Sequence, residues 1–554
     1  MVWLGLWLAQ AQETPDAAAP TWSVTATDDL EIRYWVRDER LPDPSDVPVF
    51  NYLEQVNRIN VAATKGPWRI RTQVDQVALL ANRYYLDDQL YVERPLFAPD
   101  IFAPFGKDTD LYANVEKIQV AYETEKVSLE LGDFYAAFGR GVALNLNRNV
   151  DIDIDTSIQG AKLVWRPGSW DLTAVVGQLN RQQVFQDNPN RDLRGDLRHG
   201  IVALRAERYG LGPANIGLHA VAYDFVEDAG LAEGFRQLAG GPDVFVGGTT
   251  AEIVGLGGID WYAEYDVFNY TTDRLAGENP PLGHAAYASA SFYPGKTVWL
   301  VEAKRYSNTQ QVNAVLSPEL YQVAIAPTLE YERAITEDSA AAVGSRDIWG
   351  ARVRMDWSLR PGEFVPYIAT GIYRDHDLEG LHFNDVPETI IHPMVGVDWL
   401  PGDGAALINL GYRRDIRDDP AAGSDQQIHG DVTLNFPVAG GFQGNINIGA
   451  EHYLWGNNPL QQNDYTESET AWTLSKGPVA LTWYMDISSN PLIDSTGNIS
   501  ETLYMAGELQ VKPRPNITMK AFYGAYKSGV RCSGGQCRLL PGFEGARTSI
   551  VASF

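Results

Sequence analysis

The sequence predicts an all-β fold: a transmembrane, antiparallel, up-and-down β-barrel of about 24 strands with inward-folded long loops. Three observations predict it. Short turns rich in Pro and Gly recur along the chain, and the segments between them alternate apolar and polar residues over roughly ten positions. No segment reaches the run of about 18 apolar residues that a membrane-spanning helix needs. The mean hydropathy of −0.23 fits such a barrel, because alternating strands form no long apolar run.

The first residues have the pattern of a secretion signal. Met1 to Leu8 are apolar, and Ala9-Gln10-Ala11 has the small-residue spacing of a signal cleavage site. We therefore expect a signal peptide at residues 1–11 and a short periplasmic lead at 12–21. No linker or composition shift divides the remainder, so residues 22–554 are predicted to form a single barrel domain.

Eleven short turns define the strands. They lie at residues 65–67, 124–126, 167–169, 209–213, 255–258, 294–296, 361–363, 401–404, 437–441, 476–478 and 512–515. Each turn joins two strands, which gives 22 strands. An opening strand near Trp22 to Val36 and a closing strand at the C-terminus bring the total to 24, an even number. Both termini are then expected on the periplasmic side of the membrane.

The faces of the strands indicate which solvent each side meets. Within residues 349–359, Trp349, Val353 and Trp357 fall on one side and Arg352 and Arg354 on the other. A soluble sandwich alternates too, but its strands average only about five or six residues. Tryptophans near the short turns fit an interfacial girdle or the ordinary strand preference of aromatics; they are Trp68, Trp165, Trp170, Trp299, Trp357, Trp399 and Trp483.

Charge and cysteine content limit the partners. The chain has 44 Lys and Arg against 71 Asp and Glu, a formal net charge of −27, which disfavours nucleic acid as a partner. Its only cysteines, Cys532 and Cys537, flank Gly-Gly, and in an oxidising compartment we expect them to form a disulfide. A metal site at this pair would need further ligands. No cofactor is predicted.

One long connection carries an unusual motif. Gly132-Asp-Phe-Tyr-Ala-Ala-Phe-Gly-Arg-Gly141 combines three glycines with aromatic area to bury, which predicts a segment packed inside the barrel. Asp151, Asp153 and Asp155 follow; they either bind a hard cation or face basic residues of the wall. A calcium loop requires Gly and Glu where Thr156 and Lys162 stand. Two further long connections, 82–111 and 307–346, either fold inward or form an extracellular cap.

This motif, followed by the Asp-rich turn and Ser157-Ile-Gln-Gly160, is similar to a family of uncharacterised outer-membrane barrels, over roughly residues 110 to 180. The strand that ends at Phe554 resembles the closing strand of such barrels. The resemblance implies the outer membrane of a Gram-negative bacterium, contact with outer-membrane lipid, and recognition of Phe554 by the barrel-assembly machinery. It implies no activity and no catalytic residue.

Common enzyme signatures are not found in the sequence. His376, His382 and His392, with Asp375, Asp377 and Asp385, could hold a divalent metal or lie as solvated loop residues. We predict neither a catalytic residue nor a metal site, and thus no enzyme.

The fold and the motif together predict a porin-like channel for passive or gated passage of small polar solutes. Inserted acidic residues facing arginines on the wall would produce a transverse field at a constriction. The candidates are Asp133, Phe134, Tyr135, Phe138, Arg140, Asp151, Asp153 and Asp155 from the motif, and Arg69, Arg71, Arg205, Arg352 and Arg354 from the wall. The alternative is a plugged, non-conducting barrel that serves as a surface binding or assembly scaffold.

Overall fold

The structure is a computed structural model. It describes residues 21–37, 52–80, 110–149, 154–181, 200–224, 244–270, 282–307, 348–375, 388–417, 424–456, 464–489, 503–527, 529–533, 536–540 and 542–554. Within these ranges, no helix is long and apolar enough to cross a membrane. The proposed signal peptide, the long connections 82–109 and 308–347, Asp151, Asp153, His376 and His382 lie outside the described residues.

The described residues form 29 strands. They are β1 (Ser23–Arg37), β2 (Tyr52–Lys65), β3 (Trp68–Leu80), β4 (Asp110–Glu123), β5 (Val127–Phe134), β6 (Ala136–Phe138), β7 (Leu144–Leu146), β8 (Arg148–Asn149), β9 (Ile154–Trp165), β10 (Trp170–Arg181), β11 (Gly200–Leu211), β12 (Ala214–Asp224), β13 (Val244–Leu256), β14 (Ile259–Tyr270) and β15 (Gly283–Phe292). The chain continues with β16 (Thr297–Ser307), β17 (Ile348–Trp357), β18 (Phe364–Asp375), β19 (Glu388–Trp399), β20 (Ala405–Arg417), β21 (Ser424–Val438), β22 (Phe442–Gly456), β23 (Tyr465–Lys476), β24 (Val479–Ser488), β25 (Leu503–Arg514), β26 (Ile517–Tyr526), β27 (Gly529–Ser533), β28 (Gln536–Leu540) and β29 (Phe543–Ser553).

Twenty-four of these strands, β1–β5, β9–β26 and β29, form one closed antiparallel barrel, as predicted. Each strand pairs with the next along the chain, except that β5 pairs with β9 and β26 with β29. The last strand pairs with the first, from Thr27 opposite Ser553 to Trp35 opposite Gly545. Backbone bonds of 3.0 and 2.8 Å between Ala26 and Phe554 finish this ladder. Closure leaves the sheet without free end strands.

The predicted short turns are the places where the strands reverse. Gly66, at φ 56°, lies between β2 and β3, and Gly477, also at φ 56°, between β23 and β24. A two-residue hairpin requires positive φ, which glycine adopts without strain. The outer face beside these turns carries exposed tryptophans, among them Trp68, Trp165 and Trp399. Their position is that of an aromatic girdle at the edge of a bilayer.

Side chains alternate between an outward apolar face and an inward face. In β12, Leu218 is 61% exposed on the outside, whereas His219 points inward and is buried. The inward face also changes along the barrel axis. Near the short turns, the ion pair of Arg69 with Glu123 is exposed. Toward the long connections, the ion pair of Arg58 with Asp75 is buried. The interior is therefore open to solvent at the short-turn end and covered toward the other end.

The two cysteines lie in a separate hairpin between β26 and β29. Strands β27 and β28 pair with Cys532 directly opposite Cys537. This register brings the two backbones together as a disulfide requires. The disulfide itself stays a prediction.

Candidate functional site

Residues 135–149, here called the inserted segment, leave the wall between β5 and β9 and lie inside the barrel. The segment contains the small hairpin of β6 and β7, in which Ala136 is opposite Leu146 and Phe138 opposite Leu144. Strand β8 then pairs briefly with β9, with Arg148 opposite Asp155. The predicted inward-folded loop is thus confirmed for this connection.

An apolar stretch of the barrel's inner face receives the inserted segment. Phe134, Phe138 and Leu144 are buried in one cluster with inward side chains of β9 to β18. Those wall side chains are Ile158, Val175, Leu179, Ile201, Ala203, Val221, Tyr223, Val244, Val246, Phe268, Ala285, Tyr287, Tyr306, Ile348 and Tyr373. The Tyr223 hydroxyl also donates a 2.5 Å hydrogen bond to the Ala143 carbonyl oxygen. An apolar inner wall is unfavourable in water, so its burial under the segment stabilises both.

Gly132 starts the departure of this segment from the wall. Strands β4 and β5 pair only from Glu123 opposite Ser128 to Gln119 opposite Gly132. Gly132 has φ 95°, and a Cβ at this position would collide with the Ile118 carbonyl oxygen. Only glycine accommodates both the dihedral angle and the close backbone approach. Beyond it, β5 separates from β4 but stays paired with β9 as far as Phe134 opposite Ile158.

We expect Gly132→Ala to reduce the yield of folded barrel or lower its free energy of unfolding by about 3 kcal/mol or more, because strain at positive φ adds to a backbone collision. Gly168→Ala is the matched control. Gly168 has φ 65° in a short turn, but a Cβ added there would meet nothing within 4 Å. It should cost only about 1–2 kcal/mol, the cost of the left-handed conformation by itself. Urea unfolding of the reconstituted proteins measures both, and equal effects would contradict the role of the close approach.

The side chain of Asp133 replaces the backbone hydrogen bonds that β4 and β5 no longer form beyond Gly132. Its Oδ2 accepts a 2.8 Å hydrogen bond from the Ile118 N–H, and its Oδ1 accepts one of 2.6 Å from the Asn180 amide. Ser157 donates a third, at 3.3 Å. The Asn180 amide also donates to the Glu116 carbonyl oxygen at 3.1 Å. These buried bonds connect β4 to β9 and β10 across the place where β5 turns inward.

A second polar group holds the start of the inserted segment. Tyr135 donates a 2.5 Å hydrogen bond to Asp155, and Lys117 forms an ion pair with the same carboxylate. Arg148 lies 3.6 Å from Asp155, and Lys162 donates to the Tyr135 carbonyl oxygen at 3.1 Å. The basic partners of Asp155 are therefore Lys117 and Arg148, not one of the predicted wall arginines. This pairing depends on the register between strands, which cannot be read from a single sequence.

The tip of the inserted segment reaches β14 and β15. The guanidinium of Arg140 lies 5.2 Å from the ring centres of both Tyr262 and Tyr287, within the range of cation–π attraction. The Arg140 backbone N–H donates to Oε2 of Glu264 at 2.6 Å, and the Tyr262 hydroxyl donates to the same oxygen at 2.6 Å. Glu264 is thus the wall residue that receives the tip.

The predicted wall arginines all lie on the inward face. Arg205 is paired with Glu207, and its guanidinium lies 5.9 Å from the Phe138 ring centre. Arg352 lies 3.2 Å from Glu302, and Arg354 lies 2.8 Å from Asp356 and 4.2 Å from the Tyr367 ring centre. Arg69 and Arg71 lie on β3 near the short turns, away from the apolar wall. The structure thus brings only Arg205 of this set against the inserted segment.

Acidic residues outnumber basic ones among the buried charged side chains of the described ranges. Twelve are Asp or Glu and five are Lys or Arg.

Sequence reasoning missed three residues of this interior, His219, Glu264 and Asp266, which meet beneath the tip of the inserted segment. Alternation places Glu264 and Asp266 on one face of β14. Their meeting with His219 depends on the register across β13, which sequence alone does not give. His392, predicted in a loop, lies in β19 with Nε2 2.7 Å from Nε2 of His429.

Comparison with known proteins adds a family match and a set of similar folds. Residues 102–197, which include the whole inserted segment, match a family of unknown function (DUF6029). A comparison with curated proteins found no match.

Among solved structures, the chain is similar to the translocation pore of the P pilus usher PapC, at 9% identity, 96% coverage of this chain, 99% of that chain and a TM-score of 0.42. It is similar to Pseudomonas aeruginosa OccK1 (OpdK) at 12% identity, 74% and 97% coverage and a TM-score of 0.38. A chain of the E. coli P pilus tip assembly intermediate PapC-PapD-PapK-PapG gives 10% identity, 99% coverage of this chain, 62% of that chain and a TM-score of 0.48.

Proposed function

We propose that this protein is an outer-membrane channel for small polar solutes with a preference for cations, and that the inserted segment narrows its lumen. The observation that carries the proposal is the division of the interior. The inner face of β9 to β18 carries an apolar patch that the inserted segment covers, whereas charged side chains elsewhere on the inner face, such as the pair of Arg69 with Glu123, are exposed to solvent. Ionic side chains facing inward are typical of aqueous barrels.

The size of the barrel supports a conduit. Twenty-four strands about 4.8 Å apart, tilted by about 40°, give a circular barrel roughly 48 Å across between backbones. Wall side chains alone do not fill such a width. Inserted chain therefore determines how wide the passage is, and residues 135–149 occupy one side of it.

Planar-bilayer recording tests the proposal. Under a KCl gradient we expect the reversal potential to have the sign of cation preference, because inward carboxylates outnumber bases. Glu123→Gln and Glu469→Gln remove two exposed inward carboxylates and should reduce that preference. Asp403→Asn, in an exposed short turn, is the matched control and should leave it unchanged. Anion preference, or a reversal potential insensitive to both inward substitutions, would contradict the proposal.

The non-conducting scaffold remains a second candidate, and one observation favours it. Charged side chains on the inner face toward the long connections are buried, including Arg33, Glu54 and Asp75. A lumen that is open along its whole length would leave them in water. Folded, membrane-inserted protein that never conducts would support the scaffold and exclude the channel.

A further inference from the structure

Three titratable side chains form a buried cluster on the inner face. They are His219 on β12 and Glu264 and Asp266 on β14, and their possible ligand atoms all lie within 4.8 Å of one another. The side chains of His219 and Asp266 are inaccessible to solvent, and Glu264 is 2% exposed. Nε2 of His219 lies 2.5 Å from Oδ1 of Asp266. An imidazole and two carboxylates therefore meet away from water.

Each of the three side chains keeps one polar atom that has no hydrogen-bond partner in the described part of the chain. These atoms are Nδ1 of His219, Oε1 of Glu264 and Oδ2 of Asp266. Neither carboxylate forms an ion pair with Lys or Arg within the described residues. Arg205, the cross-strand partner of His219, is paired with Glu207. Buried carboxylates with unpaired oxygens are unfavourable unless a cation compensates their charge.

Two glycines leave space at this cluster. Gly248 on β13 is the cross-strand partner of both His219 and Asp266, and a Cβ there would collide with both side chains. Gly139, at the tip of the inserted segment, faces the Glu264 carboxylate, and a Cβ there would collide with it. Without these glycines the two strands and the segment could not bring the three groups so close.

We propose that His219, Glu264 and Asp266 bind a divalent first-row transition metal such as Zn²⁺. Imidazole nitrogen and carboxylate oxygen are ligands of Zn²⁺, whereas Ca²⁺ and Mg²⁺ prefer oxygen ligands alone. The Arg140 N–H and the Tyr262 hydroxyl, both bonded to Glu264, orient that carboxylate. Through Arg140, the bound cation stabilises the attachment of the inserted segment to β14. The proposal does not depend on the channel activity.

Metal content is the primary test. Purified folded barrel is equilibrated with Zn²⁺ in the presence of excess Ca²⁺ and Mg²⁺, dialysed, and analysed by mass spectrometry for metal. We expect one equivalent of Zn²⁺ in the wild type, and binding weakened more than about 100-fold in His219→Ala and Asp266→Asn. The matched control is His284→Ala, because His284 lies outside the cluster against Tyr265. It should bind as the wild type does.

A measurement on the wild type keeps the test independent of how the variants fold. Co²⁺ bound by nitrogen and oxygen ligands should give visible absorption that reaches its end point at one equivalent and disappears when Zn²⁺ is added. The proposal is overturned if the wild type holds no Zn²⁺ above the Ca²⁺ and Mg²⁺ background, or if His219→Ala and Asp266→Asn bind it as well as the wild type. An absorption that Zn²⁺ does not remove would also overturn it.

Discussion

Leu144→Asp is expected to raise the single-channel conductance roughly twofold, because it releases the inserted segment from the wall and widens the passage. Leu144 is fully buried in the cluster formed by the segment and β9 to β18. An unpaired carboxylate buried at this position costs several kcal/mol, which weakens docking of the segment by that amount. Recording of single channels in planar bilayers measures the change.

Ala137→Asp is the matched control for this experiment. Ala137 lies in the same segment, but its side chain is exposed between the buried Ala136 and Phe138. The Ala137→Asp substitution introduces the same charge without disturbing the apolar contact between the segment and the wall. We therefore expect its conductance to stay close to that of the wild type. If Leu144→Asp and Ala137→Asp conduct alike, docking of the segment does not determine the width of the lumen.

Asp133→Ala is expected to lower the free energy of unfolding by about 3 kcal/mol, since it leaves the Ile118 N–H, the Asn180 amide and the Ser157 hydroxyl without their shared acceptor. Asp133→Asn keeps one acceptor oxygen and should cost less, about 1 kcal/mol. Urea titration of the barrel in lipid vesicles gives both values.

The control for Asp133 is Asp171→Ala. Asp171 pairs with Arg166 at 3.2 Å near a short turn, where the arginine side chain is 42% exposed. An exposed pair contributes less than about 1 kcal/mol. A loss for Asp133→Ala no greater than that for Asp171→Ala would show that these hydrogen bonds do not hold β4 to β9 and β10.

The barrel could be predicted because its signals are local. A turn such as Lys65-Gly-Pro67 marks itself by residue type, and the alternation of Trp349, Val353 and Trp357 with Arg352 and Arg354 assigns both faces of β17 from sequence alone. Counting turns then gives the number of strands. The terminal pairing of β29 with β1 follows from the need to leave no free edge.

The apolar inner wall could not be predicted in this way. In β13, Val244 and Val246 point inward and are buried, while Phe245 points outward and is exposed. A strand that is apolar on both faces has no readable alternation. Its inner face can be apolar because the inserted segment covers it. That contact joins residues far apart in the sequence, so the sequence of β13 does not reveal it. The glycines and aromatics of the motif predicted a packed segment. They did not indicate which strands of the barrel the segment packs against.

The cluster of His219, Glu264 and Asp266 was missed for a related reason. Its three ligands come from two strands separated by β13, and they meet because Gly248 stands opposite both His219 and Asp266. A single sequence contains the residues but not this register. The one available sign of this cluster was that Glu264 and Asp266, two positions apart, place two carboxylates on the same face of a strand otherwise rich in aromatics.

The position of the inserted segment inside the barrel is tested most directly by a disulfide between its tip and β14. In a protein whose Cys532 and Cys537 are replaced by serine, the pair Gly139→Cys and Glu264→Cys should cross-link under mild oxidation in the membrane, because a Cβ at residue 139 abuts the Glu264 side chain. The pair Gly139→Cys and Leu218→Cys, with Leu218 on the outer face, should not. Failure of the first pair to cross-link, or cross-linking of the second, would contradict a segment docked within the lumen.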